Sequence, residues 1–302
     1  MRTTQLLLKS LCGILITSAI FVSCSKDEVS ELDSSEKEEF ATVSSNADAE
    51  TEAVSNEIFD NAMGVNSEVA LGGTGVFGSA NPDQSSGIYG PLGIDSLSRC
   101  FTVSVDRLDP NAPFPVKVTV DFGSGCTGRD GRTRKGKVIT TYTKRLLMPG
   151  AVATTTFDGH YINDIKIEGT HTITNVSANN QLSFNVKVSG KLTNSDGNFR
   201  EWTSDKTITM IEGQTTLLPQ DDVFSVTGSA SGIVKINSKI YEWTTEITSP
   251  LIKRFNCRWI VKGTIAHKKG NTRISVLDYG NGDCDNKATL TVNTETRIIT
   301  LH

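Results

Sequence analysis

Residues 188–207 read VSGKLTNSDGNFREWTSDKT, and residues 230–248 read ASGIVKINSKIYEWTTEIT. Both carry Ser-Gly, an apolar alternating run, a turn, an aromatic residue and then Glu-Trp-Thr. In the first copy Asn194-Ser195-Asp196-Gly197-Asn198 is a cluster of turn formers with a residue that tolerates positive φ, the signature of a β-hairpin. Two successive hairpins of one type point to a pseudo-symmetric β fold, in which the repeated Glu-Trp has an architectural reason to recur.

The pattern extends in both directions. VKVTVDF (116–122), KVITTYTK (137–144), DIKIEGTHTITNV (164–176), LSFNVKVSGKL (182–192), FREWTSDKTITM (199–210), VFSVTGSASGIVKI (223–236), IYEWTTEIT (240–248), CRWIVKGTIA (257–266), RISVLDY (273–279), KATLTV (287–292) and TRIITL (296–301) all read as strands. His267-Lys268-Lys269-Gly270-Asn271 is a second hairpin turn. No long helical period interrupts them, and sequential strands with short connections pair antiparallel. The abundant Thr suits a sheet with one wet face. The expected fold is all-β: an antiparallel meander forming a curled sheet, an open barrel or a sandwich over residues 96–302.

A second repeat brackets the first. DFGSGC (121–126) and DYGNGDC (278–284) share Asp, an aromatic, two Gly and a Cys, and each follows an earlier Cys, Cys100 or Cys257. Each unit reads Cys, strand, turn, strand, loop, Cys. The start of one hairpin strand lies beside the end of the next, so of three connectivities the expected one is Cys100–Cys126 with Cys257–Cys284. The Asp and Gly then serve to turn the chain sharply.

The N-terminal third is a different material. Residues 24–95 hold 15 Asp+Glu against 2 Lys+Arg, and residues 96–302 hold 19 against 26, so the balances are 2 − 15 = −13 and 26 − 19 = +7. The basic excess is spread thinly and does not call for nucleic acid. Residues 1–23 read as a secretory signal: Arg2 and Lys9, then an apolar run from Leu11 to Val22 too short to span a bilayer. Residues 24–47 are Ser- and Glu-rich and read as a disordered acidic tether. In 48–95, Val54, Ile58, Ala62 and Val65 form one helical stripe behind acidic first turns, so a short amphipathic helix is expected from residue 48. A Gly/Ser/Pro linker follows; its GTGVFG lacks the flanking strand and helix of a dinucleotide site.

Candidate chemistry is sparse. Trp202, Trp243 and Trp259, with Phe199 and Tyr241, could line a sugar-stacking platform. Arg129, Arg132, Arg134 and Lys135 could grip an anionic polysaccharide or lipid headgroups. Asp278, Asn281, Asp283 and Asp285 are oxygen donors at a spacing that could hold Ca²⁺, although no EF-hand pattern is present and no other cofactor is expected. Glu201 and Glu242 occupy equivalent repeat positions and could flank a glycosidic bond. GxSxG and HExxH are absent, the four His are scattered, and no catalytic residue is assigned.

Phe-Val-Ser-Cys at 21–24 resembles the bacterial lipoprotein cleavage box, which implies that Cys24 becomes an acylated (palmitate-bearing) N-terminus. Ser25-Lys26-Asp27-Glu28 resembles the acidic export stretch of surface lipoproteins in Bacteroidota. The CRWIV (257–261) and DYGNGDCDNKATLTV (278–292) segments are similar to those of a Bacteroidota envelope lipoprotein family. The resemblance implies an outer-membrane lipoprotein held by its lipid, surface-exposed if the export stretch is read, and it brings no activity. The expectation is a non-catalytic envelope or cell-surface module that binds a glycan or another envelope component. The alternatives are a polysaccharide- or lipid-processing enzyme and a structural or adhesive subunit of an outer-membrane complex.

Overall fold

In the computed structural model, the structure describes residues 32–64, 100–128, 130–214, 221–255 and 257–301. Cys24, Arg129, Val65 and the linker expected up to residue 95 lie outside these. One helix, α1 (Ser34–Met63), precedes fourteen strands: β1 (Thr102–Arg107), β2 (Val116–Asp121), β3 (Cys126–Thr127), β4 (Thr133–Tyr142), β5 (Val152–Ile162), β6 (Ile165–Asn175), β7 (Ser183–Thr193), β8 (Phe199–Glu212), β9 (Val223–Ile236), β10 (Lys239–Arg254), β11 (Lys262–Lys269), β12 (Thr272–Asn281), β13 (Lys287–Val292) and β14 (Glu295–Thr300). They form a single antiparallel sheet in chain order, with β3 paired to β4 off the main path.

Thirteen strands remain on that path once β3 is set aside, and each neighbour reverses direction. The two edge strands, β1 and β14, therefore run the same way. An antiparallel seam between them is ruled out by parity, and the sheet stays an open curl rather than a closed up-and-down barrel. Two glycines help it bend. Gly169 (φ +118°) and Gly228 (φ +126°) sit where a Cβ would stand 2.1 and 2.3 Å from the carbonyl oxygen of a neighbouring strand, so only glycine lets the strands coil this closely.

The Glu-Trp repeat has a packing explanation. Across the concave face, Gly190 of β7 lies opposite Trp202 of β8, and Trp202 lies opposite Gly232 of β9, which lies opposite Trp243 of β10. Each indole lies over the bare backbone of a glycine on an adjacent strand: a Cβ on Gly190 would meet Trp202 at 2.4 Å, and one on Gly232 would meet Trp243 at 2.8 Å. Ser-Gly and Glu-Trp recur together because each hairpin needs both halves of that fit.

The loop repeat is also structural. The Asp121 carboxylate accepts from Gly123 N–H and the Asp278 carboxylate from Gly280 N–H, both at 2.8 Å, the same Asx turn written twice. The disulfides Cys100–Cys126 and Cys257–Cys284 are formed, with Cα separations of 5.3 and 5.7 Å.

The helix corrects the reading of the N-terminal segment. It begins at Ser34, inside the stretch expected to be a tether, and runs for 30 residues. Asp33 caps it by accepting from Glu36 N–H at 2.8 Å while the Glu36 side chain accepts from Asp33 N–H at 3.0 Å, a capping box; Gly64 closes it at φ +77°. Val54, Ile58 and Ala62 are buried as the periodicity requires, and so are Phe40, Ala41, Ala47 and Met63. Phe59 packs edge-on against Phe184 and Phe224, with ring centroids 5.9 and 6.2 Å apart. The sheet curls around this helix, which is its core. A Ser/Glu-rich segment that could not fold alone gains enough buried surface and paired charge inside the curl to be ordered.

Candidate functional site

The concave face is a seat for an acidic helix. Glu39 receives Lys239 Nζ at 2.7 Å and the Tyr241 hydroxyl at 2.6 Å. Glu50 pairs with Arg200 at 2.6 Å, Glu57 with Arg134 at 2.9 Å and Asp60 with Lys253 at 3.0 Å. Glu38 pairs with Arg297, Glu52 with Lys206, and Glu57 also with Arg132. The opposite charges of the two parts of the chain thus meet inside the molecule. Buried pairs repay their desolvation only in part, so removing one partner costs more than the intact pair contributes.

Three expectations are corrected by this seat. Arg132 and Arg134 do not form an exposed anion grip: Arg134 is 3% exposed, bound by Glu57 and by Asp130, because the helix carboxylates use these cations. Lys135 lies half-buried over the Tyr161 ring at 5.5 Å. Trp202 and Trp243, 4% and 2% exposed, fill the interior opposite glycines and cannot make a surface platform. Their strand positions face inward, while Glu201, Ile233 and Glu242 form an outward row across β8, β9 and β10. Those two carboxylates stand two strand spacings apart, about 9.6 Å, on a convex surface with no cleft between them; Glu201 pairs with Lys191 at 3.4 Å.

The acids of the second loop do not converge. Asp278 accepts from Gly280 N–H, Asp285 accepts from Lys287 N–H at 2.9 Å, and among the described residues no group of three or more His, Cys, Asp and Glu could hold a metal ion. The three histidines among the described residues are buried and neutral. Desolvation holds His160 and His171 down to about 4 and His267 down to about 3, and His160 sits between Phe122 and Phe157.

Trp259 is the aromatic that reaches an opening. It follows Cys257, so the Cys257–Cys284 disulfide ties its loop to the one that follows β12. The Arg258 guanidinium lies over its ring at 4.6 Å. Together with Glu52, Asn56, Tyr279 and Leu301, these residues line a small cleft with room for about one water. Small residues at Ala49 and Ala53, one turn apart on α1, leave the space. Behind the cleft, burial pushes the Asp48 carboxyl up to about 7, opposed by Lys206 and reinforced by Glu52. Burial also pushes the Tyr279 phenol well above its ordinary range, and its buried hydroxyl has no hydrogen-bond partner. The cleft can hold a water or a small polar atom at the Tyr279 hydroxyl, and it contains no nucleophile paired with a base. Sequence reading missed Asp48 and Tyr279, whose perturbation arises only when helix and sheet meet.

Comparisons with protein-family models, with curated proteins and with solved structures find no match.

Proposed function

We propose that the protein is a lipid-anchored, non-catalytic module of a bacterial envelope that works by binding another envelope component through its outer surface. The observation that carries this reading is the filled interior. A curled sheet of this kind would ordinarily offer its concave face as a ligand cavity; here α1 occupies it, with its carboxylates matched by sheet cations. Binding is thereby left to the outside, where Leu108, Ile233, Ile240 and Ile298 are exposed. The buried state of Trp202 and Trp243 weighs against a glycan platform and favours a protein component. The signal-like segment 1–23 and the lipobox-like Cys24 support the anchor.

The test is made on the full chain in a bacterium that acylates lipoproteins. An alkyne fatty acid should label the wild type and not the Cys24→Ala variant. Protease shaving of intact cells then reports the side: loss of the β domain alongside an intact periplasmic control places it outside, and protection of both places it in the periplasm. A wild-type protein left unlabelled would refute the anchor.

A further inference from the structure

Resting on the acylation of Cys24 proposed above, we infer that the end of the curled sheet at the N-terminus of α1 is a membrane-apposed face, seated on the lipid surface through Ile240 and Ile298. The argument begins with length. The helix is capped at Asp33, and Leu32 already packs against the core. Only residues 25–31 separate the acylated position from the folded body. Seven residues span at most about 25 Å fully extended. The helix itself is about 45 Å long, at 1.5 Å per residue over its 30 residues. An acyl chain in the bilayer therefore keeps the N-terminal end of α1 near the surface, and the far rim, where the Tyr142 hydroxyl donates to Ala62 O, stands away from it.

The residues that surround the N-terminal end follow from the contacts. Glu39 meets Lys239 and Tyr241 at the start of β10, and Arg297 of β14 donates to Thr42 at 2.7 Å. The β7–β8 turn is joined to the β9–β10 turn, with Asn237 N–H donating to the Asn198 side chain at 2.7 Å. The β11–β12 turn adjoins the start of β10 through Thr244 opposite Lys268. Four hairpin turns thus ring this end. On it are the two most exposed large apolar side chains among the described residues, Ile298 at 72% and Ile240 at 63%. Both side chains stand in solvent on their strands, and a lipid interface is an environment where both gain by burial. Lys268, Lys269 and Arg273 gather at the β11–β12 turn of the same rim, while Asp196 and Glu295 hold neighbouring turns. Net charge therefore does not set the orientation; the short connection does, and the isoleucines lie on the end that it holds to the lipid.

The experiment uses acylated full-chain protein reconstituted in phosphatidylcholine–phosphatidylglycerol vesicles that carry a headgroup-level quencher. Environment-sensitive probes are placed singly at positions 240, 298 and, on the far rim, at the exposed Met148. Probes at 240 and 298 should lose most of their fluorescence, and the probe at 148 should keep its own. Equal quenching at all three, or quenching at 148 alone, overturns the proposed face while leaving the anchor intact. Fatty-acid labelling of the same preparation separates the other failure: unlabelled protein overturns the anchor and the face together.

Discussion

The opposition of Gly190 and Trp202 can be tested by adding one methyl group. Gly190→Ala places a carbon 2.4 Å from Cη2 of the Trp202 indole and 2.7 Å from two further ring atoms. Carbon atoms in contact prefer about 3.5–4.0 Å, so the ring or the strand must shift by about an ångström. The ring has little room to shift, because it is 4% exposed within the packed interior. Overpacking of this kind costs about 1–3 kcal/mol, toward the upper end for a 2.4 Å approach, and replacing a strand glycine of ordinary φ returns about 0.5–1 kcal/mol, leaving a net loss of up to about 2.5 kcal/mol. Gly125→Ala is the control: its Cβ would find only Thr133 Cγ2, at 3.8 Å, and the change should stay within about 0.5 kcal/mol. Urea unfolding followed by far-ultraviolet circular dichroism reads both at constant slope. Trp202→Leu opens the space that the new methyl needs, so the double variant should lose less than the sum of the single variants by about 1 kcal/mol or more. The reasoning is refuted if Gly190→Ala matches the Gly125 control, or if the two changes simply add.

Three further outcomes are expected. Asp48 has its carboxyl raised to about 7 by burial, so the folded state holds a proton that the unfolded chain has released above about 4; this stabilisation is complete at low pH and lost as pH rises through 7. Asp48→Asn should therefore gain stability relative to the wild type as pH rises from about 4 to 7, with a constant difference above that; a difference that does not change with pH would count against a buried, proton-sharing carboxyl. The buried histidines act in the opposite sense, since His160 and His171 at about 4 lose stability as pH falls from 6.5, and that acid limb should survive in the Asp48→Asn variant. Lys206→Ala leaves Glu52 unpaired inside the sheet and should cost about 3–5 kcal/mol in urea, whereas Lys187→Ala, from a pair with Asp205 on the exposed face, should cost under about 1 kcal/mol. Removing the second staple with Cys257→Ser and Cys284→Ser should cost about 2–5 kcal/mol and raise hydrogen exchange in the loop around Trp259; unchanged exchange there would mean that the disulfide does not position the cleft.

Residues 96–302 were legible as an antiparallel meander because alternation of period two and turn residues are local properties. The disulfide pairing was legible for the same reason, since each bridge closes a unit contiguous in the chain. The parity of the strand count, which leaves β1 and β14 unable to close antiparallel, becomes visible only when every strand is placed.

Local residue patterns marked most of the strands, though not β5 (Val152–Ile162), together with the turns at Asp121 and Asp278, the two disulfides and the stripe Val54-Ile58-Ala62. Tertiary structure alone decided that Ser34–Ala47 is helical, that Arg132 and Arg134 face inward, and that Trp202 and Trp243 lie over glycines in the core. The physical reason is common to all three. A charged or aromatic side chain carries no mark of the face it will occupy, and Glu57 or Arg134 reads as surface until its partner, 77 residues away in sequence, is folded against it. The acidic helix and the basic sheet each read as solvated alone, and their opposite charges make a core only together.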